Sequence, residues 1–240
     1  MTKTIQQRSL AALRSEPCIG PRFKPVVLEY DGTGTLTIEG EVESLAAKKL
    51  GLEHLAALAG VTEIVDRLRV KPAAKMGDAE IRAHLRQIFY EEPSFLSLGV
   101  REGRNNKFEV IREPAEPDKG SIDFEVADGV ITLNGTVPSL VSKRLAGALA
   151  WWMPGSRDVI NGIALEHPEE DAPIRIQEAV KVILERNPFV DANQIRAGVR
   201  NRVVRLTGMV RTQEQCEMAE NDAWSVFGVD KVINEIVVKP

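Results

Sequence analysis

Val203-Val204-Arg205-Leu206-Thr207-Gly208, followed after Thr212 by Gly228-Val229-Asp230-Lys231-Val232-Ile233-Asn234-Glu235-Ile236, decides the fold, because the same frame occurs twice more upstream. Gly40, Gly135 and Gly208 stand 95 and then 73 residues apart, and each ends a strand-like run: Leu36-Thr37-Ile38-Glu39, Ile131-Thr132-Leu133-Asn134 and Val204-Arg205-Leu206-Thr207. Four residues on comes a hydroxyl, Ser44, Ser139 or Thr212, whose oxygen can accept from a first-turn backbone N–H and so cap a helix. In the third copy Gln215 completes a Thr-x-x-Gln capping box. Gly60, Gly155 and Gly228 follow sixteen residues after each cap, where a helix end calls for positive φ. Each copy then closes on a β-rich run, Ile64–Val70, Val159–Ile163 and Val232–Val238.

Working upstream, Ile81, Leu85, Ile88, Phe89 and Pro93 recur in the spacing of Ile176, Val180, Ile183, Leu184 and Pro188, which is helical periodicity stopped by proline. Ile5, Ala12, Leu13 and Pro17 keep that pattern weakly. A further strand, Ile122-x-Phe124-x-Val126, turns through Asp128-Gly129 into Val130-Ile131, with Asn201-Arg202 at the same place in the third copy and Asp31-Gly32-Thr33-Gly34 in the first. The unit is helix, strand, strand, helix, strand. The fold class is therefore α+β: three tandem αββαβ domains, each a small mixed three-stranded sheet packed by two helices, over residues 1–72, 78–167 and 173–240. The interval from proline to strand glycine is 23, 42 and 20 residues, so the middle copy carries an insertion at about 99–120. Its turn-rich composition, Gly103, Asn105, Asn106, Pro114, Pro117, Asp118 and Gly120, reads as a surface excursion with a short hairpin arm at Phe108 and Val110. The core is expected to close without it.

Composition narrows the function. With 43% hydrophobic and 28% charged residues the chain is globular in character, and 31 basic against 35 acidic side chains give a net charge of −4, so affinity for a polyanion must come from a local patch. Nucleic acid is not an expected partner. Cys18 and Cys216 suggest neither a disulfide nor a metal site. The uncharged stretch Leu145 to Pro154 is too short to cross a bilayer, and no transmembrane segment is expected. The opening Met1-Thr2-Lys3-Thr4-Ile5-Gln6-Gln7-Arg8 lacks the apolar run of a secretory signal, so the expectation is a cytoplasmic protein, or a periplasmic one if the sequence is a processed form.

The repeating unit, with its Gly-containing second strand, capped helix and closing Gly-Val-x-x-Val-x-Asn run, resembles the BON domain, the module of bacterial osmotically inducible periplasmic proteins. The third copy carries the pattern best, the second keeps Asn161 but has Ser156 after Gly155, and the first departs most, with Asp66 at the Asn position. The resemblance implies a non-catalytic role in osmotic or envelope stress, binding phospholipid membranes or partner proteins.

Catalysis finds no support in the residues. His54, His84 and His167 fall in unrelated columns of the repeat, Asp31-Gly32-Thr33-Gly34 lacks the lysine of a phosphate loop, and the pairs Glu91-Glu92 and Glu169-Glu170 read as solvated charge at a helix end and in a linker. No cofactor or metal is expected. Two features point to binding. At about 100° per residue Trp151 and Trp152 turn away from a buried stripe of Ala146, Ala150 and Met153, and Trp224 shares the column of Trp151, so these rings either cover a neighbouring repeat or form an exposed interface. Arg196, Arg200 and Arg205 alternate with Ile195, Ala197, Val199, Val204 and Leu206, which places the guanidiniums together on one face of a hairpin. The tryptophans and arginines are the candidate contacts for an anionic phospholipid surface. A protein-interaction or chaperone-like scaffold is the alternative. Gly40, Gly60, Gly135, Gly155, Gly208 and Gly228 are the expected structural glycines.

Overall fold

A computed structural model describes residues 4–104, 107–116 and 118–239; of the expected insertion loop, Asn105, Asn106 and Pro117 lie outside the described residues. The chain divides into two units, Met1–Lys71 and Pro72–Pro240. The first contains α1 (Ile5–Ser15), β1 (Val27–Tyr30), β2 (Thr35–Val42), α2 (Leu45–Ala56) and β3 (Glu63–Val70). β1 runs antiparallel and β3 parallel to the central β2. Leu36, Ile38, Leu68 and Val70 alternate onto the helical side of this sheet and meet Leu13 and Leu55. The Asp31 loop is turn chemistry: its carboxylate accepts from the backbone N–H groups of Thr33, Gly34 and Thr35. The Thr33 hydroxyl adds a further bond, and together these hold the carboxyl well below the usual range.

The second unit begins with α3 (Asp78–Glu91), β4 (Gly99–Arg104), β5 (Lys107–Arg112), β6 (Ser121–Ala127), β7 (Val130–Val137), α4 (Leu140–Trp151), β8 (Asp158–Asn161) and β9 (Ala164–Leu165). It continues with α5 (Pro173–Arg186), β10 (Ile195–Arg200), β11 (Val203–Val210), α6 (Gln213–Ser225) and β12 (Lys231–Val238). The last sheet, β10-β11-β12, repeats the topology of the first. The middle one differs from the expected three strands. It has six, in the order β5-β4-β6-β7-β8 with β9 also beside β7.

The insertion supplies two of the three added strands, β4 and β5, which corrects its reading as a surface excursion, and the third arises because the closing run is split into β8 and β9. β4 pairs in parallel with β6 and places Val100 in the core. Arg101 grips buried Asp123 at 2.5 Å, and buried Glu102 takes Arg82 at 3.3 Å and Arg86 at 2.8 Å. Arg112, from β5, donates to the carbonyls of Tyr90, Phe95 and Leu98 and so closes the end of α3. Removing the segment would leave buried Asp123 without Arg101 and take Glu102 away from Arg82 and Arg86.

Other expectations are met or corrected locally. Ser44, Ser139 and Thr212 do cap α2, α4 and α6. Gln215, however, turns its amide oxygen to the Arg211 N–H rather than to the cap residue, and its amide nitrogen donates to the Phe189 carbonyl. Gly40, Gly135 and Gly208 lie inside their strands, which run on to Val42, Val137 and Val210. Gly60 and Gly228 have the expected positive φ, whereas Gly155 does not. At Gly155 the requirement is space: a Cβ there would sit 2.7 Å from Met76 Cβ and 2.9 Å from Ile81 Cδ1.

The second unit has one interior shared by both repeats. In α4, Leu140 and every residue from Arg144 to Ala150 are buried, because one side packs on β7 and β8 and the other on α5 and α6. The run from Leu145 to Ala150, apolar all round, is the sequence expression of that position. Ala146, Gly147, Ala148 and Ala150 let neighbouring backbones approach. Arg144 is the exception, with 0% of its side chain exposed, donating Nε–H to the Phe227 carbonyl at 2.8 Å and pairing with Asp171 at 2.5 Å. At the other end of the interface Arg186 of α5 forks onto buried Glu92, Nε to the carboxylate at 3.0 Å.

Among the described residues Asp171 is the only carboxylate on the buried Arg144 guanidinium, so its removal leaves a buried charge. Because Asp171 itself is 43% exposed, the cost is discounted from a fully buried pair. Asp171→Asn is expected to destabilise the second unit by about 2 kcal/mol in urea unfolding followed by tryptophan fluorescence. Gly155→Val is expected to cost about 2–3 kcal/mol by overpacking against Met76 and Ile81, read as a lowered Tm of the same unit.

Candidate functional site

The helices of the third repeat cover one side of β10-β11-β12 and leave the other side open. Strand register fixes what stands there. Arg200 and Lys231 flank Val203, Gly198 and Ile233 flank Arg205, Arg196 and Glu235 flank Thr207, and Met209 lies beside Val237. Val204, Leu206 and Val210 point the opposite way into the core. The hairpin therefore brings Arg196, Arg200 and Arg205 to one exposed face, as their alternation requires. Lys231 joins them across the parallel pair of strands. Glu235 is the single acid on this face, and it holds Arg205 Nη1 at 2.6 Å.

This grid has a direction. Arg200 and Lys231 stand at the end nearest the Asn201–Arg202 turn, Arg205 and then Arg196 follow along the face, and exposed Met209 and Val237 form an apolar row at the other end. Beyond that row a cleft of about 430 Å³ is lined by Asp191, Gln194, Met209, Arg211, Gln215 and Lys239. The turn itself holds Asn201 and Arg202 at positive φ, the geometry of a tight hairpin link. Arg202 bonds the Gly228 carbonyl at 3.0 Å and Asp230 at 3.1 Å, so its charge is used within the fold. The corresponding faces elsewhere are not basic. On the middle sheet Arg101 is matched by Asp123 beside Glu125, and the first sheet presents Glu29, Glu39, Glu41 and Glu63 with Arg67 and Arg69.

The tryptophans do not belong to this face, which corrects the expectation that they point outward together. Trp224 is only 3% exposed. Trp152, partly buried at the end of α4, donates Nε1–H to Asp222 Oδ1 of α6 at 3.0 Å. Trp151 is partly buried as well. A single amphipathic stripe was the wrong premise for α4, whose second side is covered by the next repeat. Glu92 and Glu169 are likewise not solvated charge. Glu92 meets Arg186, and Glu169 accepts the first-turn N–H of Leu140 at 2.7 Å and pairs with Arg175 at 2.6 Å.

Asp222 was not foreseen. It lies 4% exposed between α4, α5 and α6, its oxygens accepting from Trp152 Nε1 and from Asn187 Nδ2 at 2.7 Å. Burial pushes its carboxyl up to about 6, against the two hydrogen bonds that favour the charged form. Among the described residues no cluster of three metal-binding side chains occurs, and no helix is long and apolar enough to cross a membrane.

A pH dependence follows from Asp222 with a definite sign. Its folded pKa lies above that of the unfolded chain, so its stabilising contribution is complete below about pH 4 and is lost as pH rises through about 6. Wild type minus Asp222→Asn should therefore fall by about 2–3 kcal/mol between pH 4 and pH 7 in denaturant unfolding. The variant serves as the reference because Glu92, whose burial is outweighed by bonds from Arg186 and Ser94, has a lowered pKa and acts in the opposite sense in both proteins.

The sequence model of the BON domain matches residues 109–166 and 175–240. A comparison with curated proteins finds no match. Among solved structures, the C-terminal domain of CdsD, the structural protein of the type III secretion system of Chlamydia trachomatis, shares 13% identity with full coverage of both chains and a TM-score of 0.26. A second CdsD structure shares 15% identity, covers 97% of this chain and 91% of its own, and also has a TM-score of 0.26. Likeness at that level carries neither fold nor function to this protein.

Proposed function

Because the chain belongs to the BON domain family, we propose that it is a non-catalytic, stress-associated binding protein that docks on anionic phospholipid surfaces through the open face of its last sheet. The observation that carries this reading is the cationic grid of Arg196, Arg200, Arg205 and Lys231 on a face that no helix covers. Each basic side chain near an anionic surface contributes about 1 kcal/mol, and the attraction fades beyond a Debye length. Arg205, already matched by Glu235, contributes less than the other three. Met209 and Val237 supply apolar contact at one end of the same face. Binding of this kind is weak, reversible and salt-sensitive. We further propose that the first unit is a diverged BON domain, since its strand order and directions are those of the matched third repeat.

Co-sedimentation with vesicles tests the reading. The protein is expected to pellet with anionic phosphatidylserine- or phosphatidylglycerol-containing vesicles and not with neutral phosphatidylcholine ones. Arg196→Ala with Arg200→Ala should weaken binding about thirtyfold, the equivalent of two basic contacts. Both side chains are exposed, so the fold should be untouched. Equal pelleting with both vesicle types, or none with either, overturns the proposal.

A further inference from the structure

The open face of the first sheet has the opposite character to that of the last. Glu29 on β1, Glu39 and Glu41 on β2, and Glu63 on β3 share it with Arg67 and Arg69, and Val27 and Val65 lie between them. Glu39 sits 3.9 Å from Arg67. No ion pair engages Glu29 or Glu63 within the described residues, and both are exposed. Arg196, Arg200 and Lys231 are equally unpaired and exposed on the last sheet.

Register gives the spacing of these charges. Glu29 stands opposite Thr37 and Glu63 opposite Thr35, so two strand gaps and two residues of rise separate them, about 12 Å. Arg200 and Lys231 both stand opposite Val203, two strand gaps apart, about 10 Å. Two carboxylates outside any described ion pair on one three-stranded face, Glu63 also accepting from the Thr35 hydroxyl at 3.4 Å, thus match two cations outside any described ion pair on another, within the reach of long side chains. Both faces carry apolar residues between the charges, Val27 and Val65 on one, Val203 and Ile233 on the other. The basic face cannot pair with itself, since like charges would oppose one another.

We propose that the acidic face of the first sheet is a docking surface for the basic face of the last sheet of a second copy of this chain. The contact joins two different surfaces, so nothing in it forces a closed pair, and copies add head to tail. Each three-stranded face offers roughly 300 Å² from the strand spacing and rise, which belongs to weak, transient association. This inference stands on the charges of both faces and does not depend on lipid binding.

Sedimentation velocity across a protein concentration series tests it on the full chain. At low salt the weight-average mass should rise steadily with concentration, and at about 1 M salt, where the Debye length is ~3 Å, it should return to that of a single chain. Arg200→Glu with Lys231→Glu should stay monomeric throughout, and so should Glu29→Lys with Glu63→Lys. An equimolar mixture of the two double variants should associate again, because each then offers a face complementary to the other. That recovery excludes misfolding as the cause of the loss in each double variant alone. A wild type that is monomeric at every concentration in low salt overturns the proposal. So does a mixture that fails to recover, or association that persists unchanged in the variants.

Discussion

A guanidinium cut off from water governs the second unit. Arg144 belongs to α4 of the middle repeat, yet both of its partners, the Phe227 carbonyl and Asp171, come from segments that follow that repeat. An arginine can be held dry only if charge and hydrogen bonds are returned to it by the protein. Here they are returned by the linker and the third repeat. The two repeats consequently cannot be separated without leaving that charge exposed to an apolar wall, and Glu92–Arg186 ties the far end of the same seam. The open sheet faces are what remains once this shared interior has claimed the helices.

Most of the architecture was legible because the repeat imposes three independent readings of one pattern. Strand alternation, the Ser44, Ser139 and Thr212 caps and the proline-ended helices are local effects, governed by neighbours within a few residues, and they appear as the sequence implies. What escaped is long-range. Turn-forming residues in the insertion conceal β4, whose place is set by parallel pairing with β6 rather than by its own composition. Gly155 was assigned to a backbone angle when its role is to leave room for Met76, a residue almost eighty positions upstream.

The candidate face was legible in part for the same reason. Arg196, Arg200 and Arg205 lie within one hairpin, where period-two alternation alone fixes their side. Lys231 reaches the face through a parallel crossover whose register no local signal specifies. For Trp152 and Trp224 helical periodicity left two outcomes, cover for a neighbouring repeat or an exposed interface, and only the packing of α4 against α6 selects the first. Asp222, surrounded in sequence by Asn221, Ala223 and Trp224, gave no sign that it would meet Asn187 and Trp152.

The twofold covering of α4 also sets an order of events while the chain is being made. Its apolar back is finished at Trp151, but α6, which helps to shield it, ends at Ser225. At about 5–20 residues per second, the ribosome needs roughly 4–15 s to supply the missing wall. During that interval the nascent middle repeat displays Leu145, Leu149 and their alanine neighbours to solvent. The period of exposure lengthens with every pause in translation between the two helices.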